Sequence, residues 1–234
     1  NWVPLHHFHH NLPAMATHIN DYTKIIYLAN PNNPTGTYFT IEEFDAFMEQ
    51  VPDRVLVMLD EAYFEYAAHL DDYPDSMHYR YDNVITLRTF SKAYGLAGLR
   101  VGYGFAHADL ISNLNKVKLP FEPSWPAQIG AISALDDDIY IKNTITTCHR
   151  GLKEISSVFK EMDLEYIPSA ANFITLVFRE KEEAKEFTKS LLQHGIILRH
   201  LYGWGLENCV RITIGTEEEN HFTIKCLSQI LSTI

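Results

Sequence analysis

Three short apolar segments in the first half of the chain are each followed by polar residues. They are Lys24–Ala29, Arg54–Leu59 and the segment that begins at Asn83 and leads to Lys92. Segments this short, rich in β-branched residues and nearly uncharged predict parallel strands that are covered on both faces. Ligands of parallel sheets bind at the carboxyl ends of the strands. The pattern therefore predicts one crevice lined by Asn33, Asp60, Tyr63 and Lys92.

The segments between and after these strands have the spacing of helices. Thr40 and Glu43 form a capping-box pattern that predicts a helix over Ile41–Gln50, joining the first two strands as a βαβ unit. An apolar stripe predicts a long helix over Asp138–Met162. Further predicted strands are Leu99–Phe105, Asn172–Phe178, Ile196–Arg199 and Cys209–Ile214, and further helices are Asp109–Lys118, Trp125–Leu135, Glu182–His194 and one after Thr216. The order predicts a mostly parallel α/β domain over residues 1–139 and a smaller α+β domain over residues 140–234.

The composition, with 46% hydrophobic and 21% charged residues, is that of an ordinary globular protein. A net charge of −11 disfavours a nucleic-acid partner, because phosphate binding needs clustered Lys and Arg. A run of about 18 apolar residues, which a membrane span would need, is not present. Three cysteines without metal-ligand spacing predict reduced thiols and a cytoplasmic protein: Cys148, Cys209 and Cys226. The N-terminal histidines fit no zinc motif, so no metal site is predicted at His6, His7, His9 or His10.

Lys92 has the most specific chemistry in the predicted crevice. An isolated lysine is most often a solvated surface charge, but Lys92 follows an apolar strand and precedes a glycine-rich turn. A lysine activated by such surroundings bonds covalently to carbonyl groups, and a nearby carboxylate and phenol suit an aromatic aldehyde cofactor. These residues predict pyridoxal 5′-phosphate. For Asp60, the alternative is a helix cap or a buried ion pair, since a carboxylate after an apolar strand needs partners.

Several motifs carry a family resemblance. They are NPNNPTG at Asn30–Gly36, DEAY at Asp60–Tyr63 and SKAYGLAGLR at Ser91–Arg100. In this order they resemble the class I/II pyridoxal-phosphate-dependent aminotransferases, which have fold type I. GIILR at Gly195–Arg199 and CVRITIGT at Cys209–Thr216 make the chain most similar to the histidinol-phosphate aminotransferases within that family. The resemblance covers the chain from about residue 3 onward and implies a homodimer.

The resemblance implies a role for each residue of the cofactor site. Lys92 would carry the cofactor and move the proton at the substrate Cα. Asp60 would pair with the ring nitrogen, while Tyr63 and Asn33 would hydrogen-bond the 3′-oxygen. Ala62 would lie against one face of the ring.

The remaining implied roles concern anionic groups. Arg100, with Ser91 and Thr89, would hold the cofactor phosphate; the alternative for Arg100 is a surface arginine at a strand start. Arg199 and Arg211 would bind the phosphate of the substrate, because two planar guanidinium groups suit a dianion. The substrate-binding set is then Arg199, Arg211 and Asn33.

The resemblance implies transfer of an amino group between L-glutamate and the phosphorylated imidazole ketone of histidine biosynthesis, with 2-oxoglutarate as the 2-oxo acid. Within the enzyme class, the alternatives are an aromatic amino-acid aminotransferase and a threonine-phosphate decarboxylase. Roughly the front third of the family's chain, including a Gly-rich turn and a ring-stacking aromatic residue, has no counterpart here. A further alternative is therefore a catalytically inert, truncated chain that binds the cofactor poorly.

Overall fold

The computed structural model describes residues 1–78 and 81–231, which divide into two compact units. The first unit comprises Asn1–Asn32 and Tyr38–Lys142, and the second comprises Asn33–Thr37 and the chain from Asn143 onward. The boundary between Lys142 and Asn143 lies near residue 139, where the sequence predicted it. Segment Asn33–Thr37, which the sequence placed in the first domain, belongs to the second unit.

Hydrogen bonds explain why Asn33–Thr37 belongs to the second unit. The Ala170 N–H donates to the Gly36 carbonyl and the Thr175 hydroxyl donates to the Pro34 carbonyl, each at 2.8 Å. These bonds tie the segment to residues more than one hundred positions later in the chain.

A four-stranded sheet forms the centre of the first unit. Its strands, in sheet order, are β1 (Ile25–Ala29), β2 (Leu56–Asp60), β3 (Val84–Thr89) and β4 (Gly102–Ala106). The first three are parallel, as predicted, and β4 is antiparallel to β3. The predicted fourth strand began too early, because Ala97–Leu99 form a 3₁₀ helix.

The prediction that all three parallel strands are covered on both faces is wrong for β1. Ile26 and Leu28 are buried, whereas Ile25 and Tyr27 are 57% and 53% exposed. The reason is that side chains alternate between the two faces of a strand, and the buried core cluster contains the residues of only one face of β1. Its buried face packs in a core with the helix Ile41–Met48, through Phe44 among other residues.

Helices precede, separate and follow these strands along the chain. They are α1 (Leu12–Thr17), α2 (Ile41–Met48), α3 (Phe64–Ala67), α4 (Ala108–Val117), α5 (Trp125–Leu135) and α6 (Asp138–Glu161), the last of which leads into the second unit. The capping box at the start of α2 is confirmed: the Glu43 N–H donates to the Thr40 hydroxyl, and the Thr40 N–H donates to the Glu43 carboxylate.

The second unit is built on an antiparallel sheet. Its order is β5 (Tyr166–Ile167), β6 (Phe173–Val177), β8 (Cys209–Thr213) and β7 (Arg199–His200), and its further helices are α7 (Lys181–Gln193) and α8 (Glu217–Leu231). The strand predicted over Ile196–Arg199 is wrong except for Arg199. Gly195 ends α7 with a positive φ of 82°, and the Ile196 N–H still donates to the Leu191 carbonyl, so pairing starts later.

Candidate active site

The carboxyl ends of β2 and β3 bring three predicted residues to one edge of the first sheet. Asp60 is the last residue of β2 and pairs in register with Leu87 of β3. Lys92 follows β3, and its Nζ lies 5.3 Å from the centroid of the Tyr63 ring. Tyr63 itself is buried and Lys92 is exposed. Asp60, Tyr63 and Lys92 therefore share this edge, although the described residues do not enclose the amine.

Two donors hold the Asp60 carboxylate. The Tyr27 hydroxyl donates to Oδ2 at 2.5 Å, and the Ala62 backbone N–H donates to Oδ1 at 3.1 Å. Burial and the hydrogen bond to Asp60 raise the pKa of Tyr27 well above its ordinary value, so the phenol keeps its proton and stays a donor. Asp60 is thus an oriented acceptor. The sequence left a helix cap as an alternative role for Asp60. Only the bond from the Ala62 N–H supports that alternative.

The predicted phosphate ligands lie where β3 ends and β4 begins. The Ser91 N–H donates to the Thr89 hydroxyl at 3.1 Å. Thr89 pairs in register with Gly102, the first residue of β4, and Arg100 precedes that residue by two positions. Arg100 has a left-handed φ of 52°, is exposed, and donates to the Ala97 carbonyl at 2.8 Å. The chain path therefore brings both hydroxyl residues and the guanidinium to one end of the strand pair.

The predicted substrate ligands lie in the second unit. Arg199 of β7 and Arg211 of β8 are direct register partners, so their side chains stand on the same face of the sheet. Arg211 Nη1 donates to Asn33 Oδ1 at 2.5 Å, and its Cζ lies 4.8 Å from the centroid of the Phe173 ring. Like charges directly opposite each other repel. This arrangement favours an anion between the two guanidinium groups.

The comparisons with known proteins identify the family. The sequence profile of the family described as "Aminotransferase class I and II" matches residues 2–225. The chain belongs to the class I and II aminotransferase family. The predicted family is confirmed.

Two similar proteins carry the same name. Histidinol-phosphate aminotransferase 2 of Carboxydothermus hydrogenoformans is 44% identical over 231 residues, which are 98% of this chain and 63% of that protein. Histidinol-phosphate aminotransferase of Bacillus subtilis is 43% identical over 224 residues, which are 95% of this chain and 61% of that protein. The chain thus spans less than two thirds of the length of these relatives.

A solved structure extends the comparison to the fold. The crystal structure of histidinol-phosphate aminotransferase from Sinorhizobium meliloti, in complex with pyridoxal-5′-phosphate, has a TM-score of 0.83 and 30% sequence identity. The alignment covers 95% of this chain and 60% of that chain. The chain therefore has the α/β fold type I architecture that its motifs predicted.

Sequence reasoning missed two features beside the candidate site. Tyr27 was not a candidate, although strand alternation indicates it: Ala29 pairs with Asp60, and Tyr27 lies two residues earlier on the same face. Glu61 had no predicted role. Its fully buried carboxylate accepts from Arg88 Nη2 at 2.7 Å and from Nε at 2.8 Å, which ties the ends of β2 and β3 together.

Neither a membrane-spanning helix nor a metal-binding cluster occurs in the part of the chain that the structure describes. None of the helices there is both long and apolar enough to cross a membrane. Within residues 1–78 and 81–231, no group of three or more histidine, cysteine or acidic side chains could hold a metal ion.

Proposed function

We propose that this aminotransferase binds pyridoxal 5′-phosphate and exchanges an amino group between histidinol phosphate and 2-oxoglutarate. The observation that carries the substrate assignment is the register pair of Arg199 and Arg211 on one face of the second sheet. The names of the relatives in Carboxydothermus hydrogenoformans and Bacillus subtilis support the same substrate.

The residues at the carboxyl ends of β2 and β3 fit the cofactor. Asp60 has one donor on each oxygen and therefore keeps lone pairs for a protonated ring nitrogen. Lys92 places its amine beside the Tyr63 ring, where it would hold the cofactor covalently. Ala62 has no side-chain bulk beyond Cβ to obstruct a ring face. When bound, the cofactor supplies an electron sink for the charge that develops at the substrate Cα.

The other cofactor contacts follow from the same chain segments. Thr89, Ser91 and Arg100 would hold the phosphate with hydroxyl and charge-assisted hydrogen bonds. Asn33 would donate to the 3′-oxygen through its amide nitrogen, since its Oδ1 already accepts from Arg211. Lys92 Nζ would take and return the proton at the substrate Cα, which requires the neutral amine.

Arg199 and Arg211 would bind the phosphate monoester of the substrate. Each guanidinium offers a planar fork of N–H donors that matches phosphate oxygens. A dianion between the two side chains replaces their mutual repulsion with two attractive interactions. A substrate without the phosphate leaves that repulsion in place, which is the physical basis of the expected selectivity.

Kinetics with histidinol phosphate and with unphosphorylated histidinol test this assignment. A hydrogen bond to a charged group contributes about 1.5–3 kcal/mol, so Arg211→Ala and Arg199→Ala should each lower kcat/KM for histidinol phosphate by at least about tenfold. The rate with histidinol should change little. Arg179→Ala, in the same unit, is the control. Equal losses with both substrates, or release of CO2 from threonine phosphate at a higher rate, would contradict the assignment.

We also propose a cytoplasmic homodimer with a large α/β domain and a small α+β domain. The family resemblance supports the dimer, and the two compact units support the domains. Cys148, Cys209 and Cys226 are free thiols in the structure, which supports a reducing compartment. Sedimentation equilibrium tests the dimer through the ratio of the measured mass to the mass of one chain.

A further inference from the structure

We propose that Tyr27 is a positioning residue: its hydroxyl orients the Asp60 carboxylate toward the ring nitrogen of the cofactor. The proposal rests on the proposed function, because it assumes that Asp60 faces pyridoxal 5′-phosphate. It adds a residue that lies outside every motif used to recognise the family.

The register of the sheet places the phenol at the carboxylate. Ala29 pairs with Asp60, and Tyr27 pairs with Met58, so Tyr27 and Asp60 are diagonal neighbours on one face of β1 and β2. A diagonal pair is separated by about 7–8 Å at Cα, a distance that a tyrosine side chain bridges. The observed bond from the Tyr27 hydroxyl to Asp60 Oδ2, at 2.5 Å, results from that geometry.

Donors on both oxygens fix the rotation of the Asp60 carboxylate as well as the position of one oxygen. The Ala62 N–H on Oδ1 alone would leave the carboxylate free to turn about the Cβ–Cγ bond. The Tyr27 hydroxyl on Oδ2 sets the plane of the group. Each oxygen retains lone-pair capacity for a further donor. The carboxylate is therefore preorganised for a ring N–H whose direction is defined by the plane.

The position of Tyr27 argues against a purely packing role. Its side chain is 53% exposed, and the ring contributes little to the buried core on the other face of β1. Burial of the hydroxyl and the bond to Asp60 raise the pKa of Tyr27, so the proton stays on the phenol at physiological pH. A phenol that keeps its proton donates to the carboxylate throughout the working range of an enzyme.

A second tyrosine in the first unit provides a matched control. The Tyr38 hydroxyl donates to Asp72 at 2.9 Å, and neither residue belongs to the proposed cofactor site. Tyr38→Phe removes the same kind of phenol–carboxylate bond as Tyr27→Phe. The two variants differ only in whether the carboxylate belongs to the proposed cofactor site.

Cofactor binding to the protein, followed by absorbance, tests the proposal. The two ligands are pyridoxal 5′-phosphate and its 1-deaza analogue, in which carbon replaces the ring nitrogen. Tyr27→Phe should weaken binding of pyridoxal 5′-phosphate about tenfold, the scale of one hydrogen bond to a charged group, and should leave binding of the analogue unchanged. Tyr38→Phe should change neither.

A titration that needs no cofactor tests the contact itself. In protein labelled at tyrosine Cζ, the Tyr27 signal should titrate at lower pH in Asp60→Asn than in the wild type, because Asp60 raises the pKa of Tyr27. An unchanged titration would show that the contact is absent in solution.

The outcomes separate this proposal from the proposed function. Equal weakening of both ligands by Tyr27→Phe would show a general structural effect, and no weakening of either would show that the hydroxyl is dispensable; both results overturn the proposal. If the wild type binds the analogue as tightly as pyridoxal 5′-phosphate, Asp60 does not face the ring nitrogen. If the wild type binds neither, the proposed function fails, and this role fails with it.

Discussion

Replacing Arg88 with methionine should destabilise the first unit by about 3–5 kcal/mol, the usual cost of removing one partner from a buried ion pair. Methionine keeps much of the side-chain volume and removes the charge. The Glu61 side chain is 0% exposed and that of Arg88 is 7% exposed, so water cannot take the place of the guanidinium.

The magnitude follows from the geometry. The Nη2–Oε2 distance of 2.7 Å corresponds to about 6 kcal/mol of Coulomb attraction at an effective dielectric constant of about 20. In the intact pair, desolvation offsets much of that attraction. In Arg88→Met the desolvation of Glu61 remains without the attraction. The variant also loses the contact of Arg88 Cζ with the Phe64 ring, at 3.4 Å from its centroid.

The pH dependence provides a second signature of the same pair. Burial raises the pKa of Glu61, and Arg88 opposes that shift. Without Arg88 the pKa rises further, so the folded state binds the proton more tightly than the unfolded state. Stability of Arg88→Met therefore falls as pH rises, and its deficit relative to the wild type shrinks as pH falls and Glu61 becomes neutral.

Urea unfolding with hydrogen exchange of peptides from each unit measures the loss. The control is Arg150→Met in the second unit, where Arg150 Nη2 lies 2.7 Å from Glu217 Oε2 with the side chains 50% and 53% exposed. An exposed pair at this distance contributes about 0–1 kcal/mol. A loss in Arg88→Met no larger than in the control would refute the reasoning. So would a Glu61→Leu, Arg88→Met double variant less stable than Arg88→Met alone.

Three further predictions concern single residues. Borohydride reduction of the protein loaded with pyridoxal 5′-phosphate should label a single peptide, the one containing Lys92; a label found only elsewhere by mass spectrometry would contradict its role. Burial raises the pKa of Glu65 from 4.5 to about 7, so stability should fall by up to about 3 kcal/mol as pH rises through this range. Urea unfolding at both pH limits should show that Glu65→Gln lacks this contribution to the pH dependence of stability. The same pH dependence in Glu65→Gln and in the wild type would contradict the prediction. Gly36 has a φ of 81°, and an added Cβ would collide with Ser169 Oγ. Gly36→Ala should therefore lower the free energy of unfolding, measured in urea, by about 1–3 kcal/mol. Gly203→Ala should not, because its Cβ would meet open space.

Local sequence patterns were sufficient to predict most of the helices and strands. Strands β1 and β2 and helix α5 begin and end within about two residues of their predicted limits. Caps and hydrophobic periodicity depend on neighbouring residues, so they are readable without the fold. The same holds for the polar residues that follow parallel strands, which placed Asp60 and Lys92 at one edge of the sheet.

The contacts that refine the site depend on tertiary structure. Tyr27 and Asp60 are 33 residues apart, and Asn33 and Arg211 are 178 apart. The opposition of Arg199 and Arg211 exists only in one pairing register. A register is decided by the burial of whole strand faces, and a shift of one residue would turn each side chain to the other face. The sequence by itself therefore predicted which residues would carry the chemistry, whereas the pairing register within each sheet decided which of them lie side by side.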